Sequence, residues 1–208
     1  MTQSLKQSTE TQKGEIAFRR KLSRQERGEE LCFPEAFFGE EEIMPVLAQR
    51  IDESRQLFGW LRQQGVTLSP FLEVGAERGQ RSLVLQNDFG GSGFALDLSL
   101  DALGFGTTVR DRFRFTAIPI RVCADAYNLP FRSDVFPFVF CFATLHHFPH
   151  PLPIVQEVKR VLQDGGHFFF DSEPTRGRLT VRLWTRRGYK LSCFERLLRR
   201  AGFLGFVS

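Results

Sequence analysis

The chain has 208 residues, 42% of them hydrophobic and 25% charged, with a formal net charge of +4. That balance describes a soluble globular protein of one domain with a sizeable core, and it permits an acidic partner without requiring one. No early apolar segment could serve as a signal peptide and no run approaches the ~20 apolar residues of a membrane span, so a cytoplasmic protein without membrane contact is expected. Four cysteines, Cys32, Cys123, Cys141 and Cys193, lie far apart and form no C-x-x-C; they read as reduced thiols, with neither a zinc site nor a disulfide framework. The 23 phenylalanines mostly fall in apolar runs, where a core explains them.

Residues 1–30 are polar, charged and short of aliphatics, which predicts a loose segment. Residues 31–66 read as a helical extension. Leu31 to Phe38 can pack locally, and from Glu40 to Gln64 the residues Ile43, Leu47, Ile51, Phe58 and Leu61 recur at helical spacing, with Gly65 as a stop. Residues 67–208 then form the main domain. Phe71, Leu72 and Val74 make an apolar run that holds an acid, Glu73. Gly75 and Gly79 follow, then an amphipathic segment around Leu83, Val84 and Leu85, then a second apolar run ending in Asp97. This strand, turn, helix, strand unit is of the kind that binds a nucleotide at the carboxyl ends of parallel strands. Gly75 lets the chain leave the strand at a backbone angle other residues resist, and Gly79 lets a ligand or neighbouring backbone come close. Asp97 arrives about 20 residues after the turn, where a carboxylate can accept both ribose hydroxyls of an adenosine. The turn itself, Gly-Ala-Glu-Arg-Gly, is not the full G-x-G-x-x-G, and a bare α/β turn stays open as the alternative.

Leu100 to Gly106 starts the next connection, Ile120 to Cys123 is the third strand, and Asp125 stands just beyond it. Phe136 to Phe142 is nearly all apolar, as a central parallel strand covered on both faces should be. A helix is predicted from Leu152 to Leu162, ended by Gly165 and Gly166, with His167 to Phe170 as the fifth strand. Leu191 to Arg200 reads as a helix and Phe203 to Val207 as a last strand. Arginines thicken after Arg176; they could meet phosphate, although a solvated helix face is the commoner outcome. Strands alternating with helices imply an α/β fold: a three-layer, mostly parallel sheet between helices.

Glu73, Asp97 and Asp125 at three successive strand ends, together with Leu129-Pro130-Phe131, Leu145-His146-His147 and Arg160-Val161-Leu162-Gln163-Asp164-Gly165-Gly166, resemble the class I S-adenosylmethionine-dependent methyltransferases. The resemblance is closest to a small-molecule, type 11-like branch with a Rossmann-like sheet, and it covers Phe71 to Glu173 in register. It implies S-adenosyl-L-methionine as cofactor and the following contacts. Glu73 would support the glycine turn and the methionine amino group, and Gly75 and Gly79 would shape the bend under the methionyl moiety. Asp97 would accept the ribose hydroxyls, Leu98 would flank the adenine, Asp125 would accept its exocyclic amine and Ala126 would donate to a ring nitrogen. Phe142 would line the pocket near the methionine chain. A cationic sulfonium with an ammonium beside it favours acidic surroundings, whereas the pyrophosphate of a dinucleotide would be repelled by Glu73 and Glu77.

Three departures accompany the match. Glu77 replaces the middle glycine of the family's turn, where it either contacts the ligand's amino group or fills part of the pocket. Asp164 replaces a proline. The seventh, antiparallel strand is expected to be missing, which would leave the fifth strand an open edge and favour self-association. His146 and His147 are candidate general bases, although histidines in such a loop also serve packing. Tyr127, Phe148 and Trp184 either line an acceptor pocket or pack as core and lid. The expected activity is methyl transfer to a small molecule, with no metal. RNA methylation, or a degenerate fold that only binds, stands as the alternative.

Overall fold

The computed structural model describes residues 40–173 together with residues 13, 14, 16 and 17. Helix α1 (Glu40–Gln63) buries Leu47, Ile51, Phe58 and Leu61 along one side. It ends where Gly65 takes a left-handed φ of 84° and the Val66 N–H turns back to the Leu61 carbonyl at 3.1 Å. The α/β part follows as β1 (Phe71–Val74), α2 (Gln80–Asp88), β2 (Gly93–Asp97), α3 (Leu100–Arg112), β3 (Ile120–Cys123) and β4 (Phe136–Phe142). A 3-10 turn (Leu145–His147), α4 (Leu152–Val161) and β5 (Leu162–Asp171) complete it. The five strands form one parallel sheet in the order β3-β2-β1-β4-β5. Chain order therefore reverses between β1 and β4, and a crevice opens at the carboxyl ends of those two strands.

Strand alternation divides the core. Phe71, Phe138 and Phe140 point to one face, where α1 and α2 cover them; Leu72, Val74, Val139 and Cys141 point to the other, against Ile154, Val158 and Val161 of α4. Phe58 of α1 meets Phe138, Phe140 and Phe89 edge-on at centroid distances of 6.3, 5.5 and 6.0 Å. Such contacts add to the burial itself, and they explain much of the phenylalanine content.

The fifth strand differs from the sequence expectation. It begins at Leu162, directly after α4, instead of at His167, and the two glycines lie inside it. Leu162 pairs with Phe136 and His167 with Phe138, so the intervening residues form an irregularity in the ladder. Gly165 takes φ 73° there, and a Cβ on Gly166 would crowd the Gln163 and Phe136 carbonyls. The glycines serve the bulge, not a helix stop.

Of residues 1–30, the four described ones are helical. The expected packing of Leu31 to Phe38, the basic tail, the helix at Leu191 to Arg200, the strand at Phe203 to Val207, the open edge with its self-association, and Trp184, Cys32 and Cys193 lie outside the described residues. Among the described residues no helix is long and apolar enough to cross a membrane.

Candidate functional site

Glu73 shares the Phe71 face of β1, which aims its side chain at the first turn of α2. Only 1% of the residue is exposed, and its Oε2 accepts two bonds from Ser82, from the backbone N–H at 3.1 Å and the hydroxyl at 2.6 Å. Burial pushes the carboxyl up to about 7; the Arg81 cation and the Ser82 bonds act against that rise, and the Asp97 charge adds to it.

The turn that follows explains its own glycines. Gly75 has φ 70°, and a Cβ there would run into the Thr144 side chain from the end of β4. Gly79, the cap of α2, has φ 67°, but a Cβ would only touch Ala95 at 3.7 Å, so conformation and not crowding demands glycine. Glu77 also sits in the left-handed region, with φ 52°, at the position where the family has a glycine. Its backbone N–H donates to Asp97 Oδ2 at 2.8 Å, while the Ser99 N–H donates to Oδ1 at 2.8 Å. Asp97 thus ties the turn to the end of β2.

The Glu77 side chain pairs with two arginines. Its carboxylate accepts from Arg78 Nη1 at 2.6 Å and lies 3.7 Å from Arg50 Nη1 of α1. Arg81, one turn away, holds its guanidinium carbon 3.9 Å from the centroid of the Phe142 ring. Burial pushes that guanidinium pKa down, with Glu73 and Glu77 opposing the shift and Arg50 adding to it.

At the end of β3, the Ala124 N–H bonds the Asp97 carbonyl at 3.1 Å. The Asp125 carboxylate accepts the Tyr127 N–H at 2.9 Å, the turn-capping role. Ala126 is buried, and Leu98 is half-buried, with its carbonyl 3.5 Å from Cys123 Sγ. Tyr127 and Phe148 pack edge to face at 5.4 Å.

Glu173, just past β5, went unnoticed in the sequence. It accepts the backbone N–H groups of Thr144, Leu145 and His146 at 2.7, 2.8 and 3.0 Å, and the His146 ring through Nδ1 at 2.8 Å. Burial works to raise its pKa, yet these donors outweigh burial and hold the carboxyl below its ordinary value. With a carboxylate on Nδ1, a neutral His146 ring carries its basic lone pair on Nε2. The His147 ring lies tilted against it at 4.2 Å. An acid two residues beyond a strand, at the same sheet end as the other acids, was the available signal.

Two of the sequence motifs turn out to be partners. Arg160 donates to the carbonyls of Phe131 and Leu129 at 2.8 and 3.0 Å, and Glu157 accepts the Leu129 N–H at 2.9 Å. The arginine of the Arg160-to-Gly166 motif therefore clamps the Leu129-Pro130-Phe131 loop. Among the described residues no group of three or more His, Cys, Asp or Glu is placed to hold a metal.

Residues 72–170 match the family described as methyltransferase domain. The five-strand parallel sheet flanked by helices is the Rossmann-like methyltransferase fold. A candidate S-adenosyl-L-methionine-dependent methyltransferase from Methanococcus maripaludis shares this fold, with a TM-score of 0.54 and 18% identity over 63% of this chain and 59% of that one. A candidate methyltransferase from Bacillus halodurans is similar at TM-score 0.46 and 28% identity, over 52% of this chain and 47% of that one. The cyclase SpnF is similar at TM-score 0.43 and 22% identity, over 47% and 36%. The chain thus spans less than two thirds of the length of each. No curated protein matches it.

Proposed function

We propose that the chain binds S-adenosyl-L-methionine across the carboxyl ends of β1 and β2 and is a methyltransferase for a small-molecule acceptor. The observation that carries this reading is the Asp97 carboxylate, which ends β2 and is bonded to both the glycine turn and the start of α3. The donor set fits the cofactor: carboxylates stand at adjacent strand ends, where a diol needs acceptors and a cationic amino-acid end needs negative charge. Asp97 takes the ribose hydroxyls, and Leu98, Asp125 and Ala126 take the adenine. Glu73, Gly75 and Gly79 shape the amino-acid end, and Phe142 flanks it. When bound, the cofactor supplies a methyl group on a sulfonium, whose transfer needs mainly alignment with a nucleophile. His146, oriented by Glu173, is placed to accept a proton from an acceptor that must lose one.

Calorimetry with S-adenosylmethionine and its demethylated product tests the reading. The parent should bind both, and Asp97→Ala should bind ten- to hundredfold more weakly, the worth of a charged hydrogen-bond acceptor at ~1.5 to 3 kcal/mol. A parent that binds neither ligand defeats the reading; an unchanged Asp97→Ala variant defeats the assignment of Asp97.

A further inference from the structure

Helix α3 carries two glycines in its interior, Gly104 and Gly106, where glycine costs helix stability relative to alanine. The two differ in their surroundings. Gly104 is exposed, and a Cβ built on it would meet nothing within 4 Å. Gly106 is buried, and a Cβ there would stand 2.9 Å from the carbonyl oxygen of Arg78, in the glycine turn that follows β1. Carbon and oxygen do not come that close without displacement, and the opposing atom is backbone, so no side-chain rotation relieves it. Helix formation favours alanine at 106; the backbone-to-backbone contact with the turn explains the glycine.

The turn is held on its other sides as well. The Ala76 N–H donates to the Leu96 carbonyl at 2.9 Å and the Glu77 N–H to Asp97 Oδ2 at 2.8 Å, both at the end of β2. On the β4 side the Thr144 side chain fills the place of a Gly75 Cβ, and Thr144 is itself fixed, its N–H on Glu173 and its hydroxyl on the Phe142 carbonyl. Residues 75–78 thus lie between Thr144 and Gly106. Of the two partners at Gly106, α3 is the firmer. Arg121 of β3 donates to the Leu103 carbonyl and the Thr107 hydroxyl, both at 3.0 Å, and Leu103, Phe105 and Val109 are buried. The turn, in contrast, borders an open cleft of about 200 Å³ lined in part by Arg78, Gly79, Leu83 and Ala95, which gives it room to yield. On the reading that S-adenosylmethionine binds at this turn, we propose that Gly106 and Thr144 are positioning residues: from opposite sides they fix where the turn stands, and through its bond to Asp97 they set the affinity for the cofactor. A side chain at 106 displaces the Arg78 peptide, and with it the neighbouring Glu77 N–H that Asp97 accepts.

The test measures two quantities on the full chain and its variants, at a temperature where each is folded: calorimetric affinity for S-adenosylhomocysteine, the demethylated product, and hydrogen exchange at the Glu77 amide. Gly106→Ala should bind about tenfold more weakly, the scale of one distorted charged hydrogen bond, and should exchange faster at Glu77. Gly104→Ala, the same substitution on the open side of the same helix, should match the parent in both. Thr144→Ser removes the methyl group that backs Gly75 and keeps the hydroxyl and N–H bonds; it should weaken binding severalfold and speed the same amide. A Gly106→Ala variant that melts lower yet binds as the parent does would overturn the proposal and leave Gly106 a folding residue, as would equal losses in the two glycine variants. If Gly106→Ala does not fold, Thr144→Ser decides, and parent-like affinity and exchange there overturn the proposal. Each of these failures leaves the cofactor reading intact, whereas a parent that does not bind the ligand would overturn both.

Discussion

Glu73 lies where a charge is least welcome, and its ionisation sets a direction for stability against pH. The folded-state pKa is raised from 4.5 to about 7, so the folded chain holds its proton more tightly than the unfolded chain does. As pH rises through that window the unfolded state loses its proton first, and stability falls until about pH 7, beyond which the difference is constant. The loss from this residue is on the order of 3 kcal/mol. Glu73→Gln keeps an oxygen for Ser82 and cannot ionise. Denaturant unfolding at pH 5 and pH 8 should therefore show a drop in the parent that is missing in Glu73→Gln; equal drops would mean that Glu73 is solvated and its burial irrelevant. At this scale the sequence showed the acids but not their company. Glu73, Asp97 and Asp125 were legible because each stands in or just past an apolar run that reads as a strand. Arg81 and Glu173 were not, since Arg81 acquires its meaning from Phe142 and Glu173 from Thr144 to His146, across strands that only the fold brings together.

The 3-10 turn at Leu145–His147 has little apolar anchorage: none of its residues is buried, and Leu145 alone packs partly against the core. Glu173 holds it by taking three successive backbone donors, an anion at the positive end of a short helix. Glu173→Ala should cost ~2 to 3 kcal/mol in urea unfolding, by leaving those donors without their charged partner. It should also speed hydrogen exchange at the Leu145 and His146 amides, and Glu173→Gln should restore part of the protection. Unchanged exchange at those amides would show that the turn stands without its acid. Strands and helices were readable as elements because their apolar periods differ, and β1, β3 and β4 fall where those periods put them. The start of β5 was misread for a physical reason: a glycine pair after a helix serves equally well as a C-cap or as a bulge, and only the Leu162 to Phe136 pairing decides between them.

At the scale of the whole molecule, α1 and the sheet share one core, although the family match begins only at residue 72. Phe58 lies against the two central phenylalanines of β4, so the strand in the middle of the sheet is sealed from both sides. That seal gives Cys141 a use as a reporter. The residue is 0% exposed on β4, and burial, with the Glu173 and Glu73 charges adding, pushes its thiol up to about 12. At pH 8 only about one such thiol in ten thousand is a thiolate, the form that alkylates. Cys123, on the edge strand β3, is exposed. Iodoacetamide followed by peptide-resolved mass spectrometry should modify Cys123 in the folded protein and reach Cys141 only at the rate at which the central strand is laid open. The labelling rate of that one sulfur, measured across denaturant, would then read the opening equilibrium of the core without a spectroscopic probe. Comparable labelling of both cysteines in water would show that the middle of the sheet breathes.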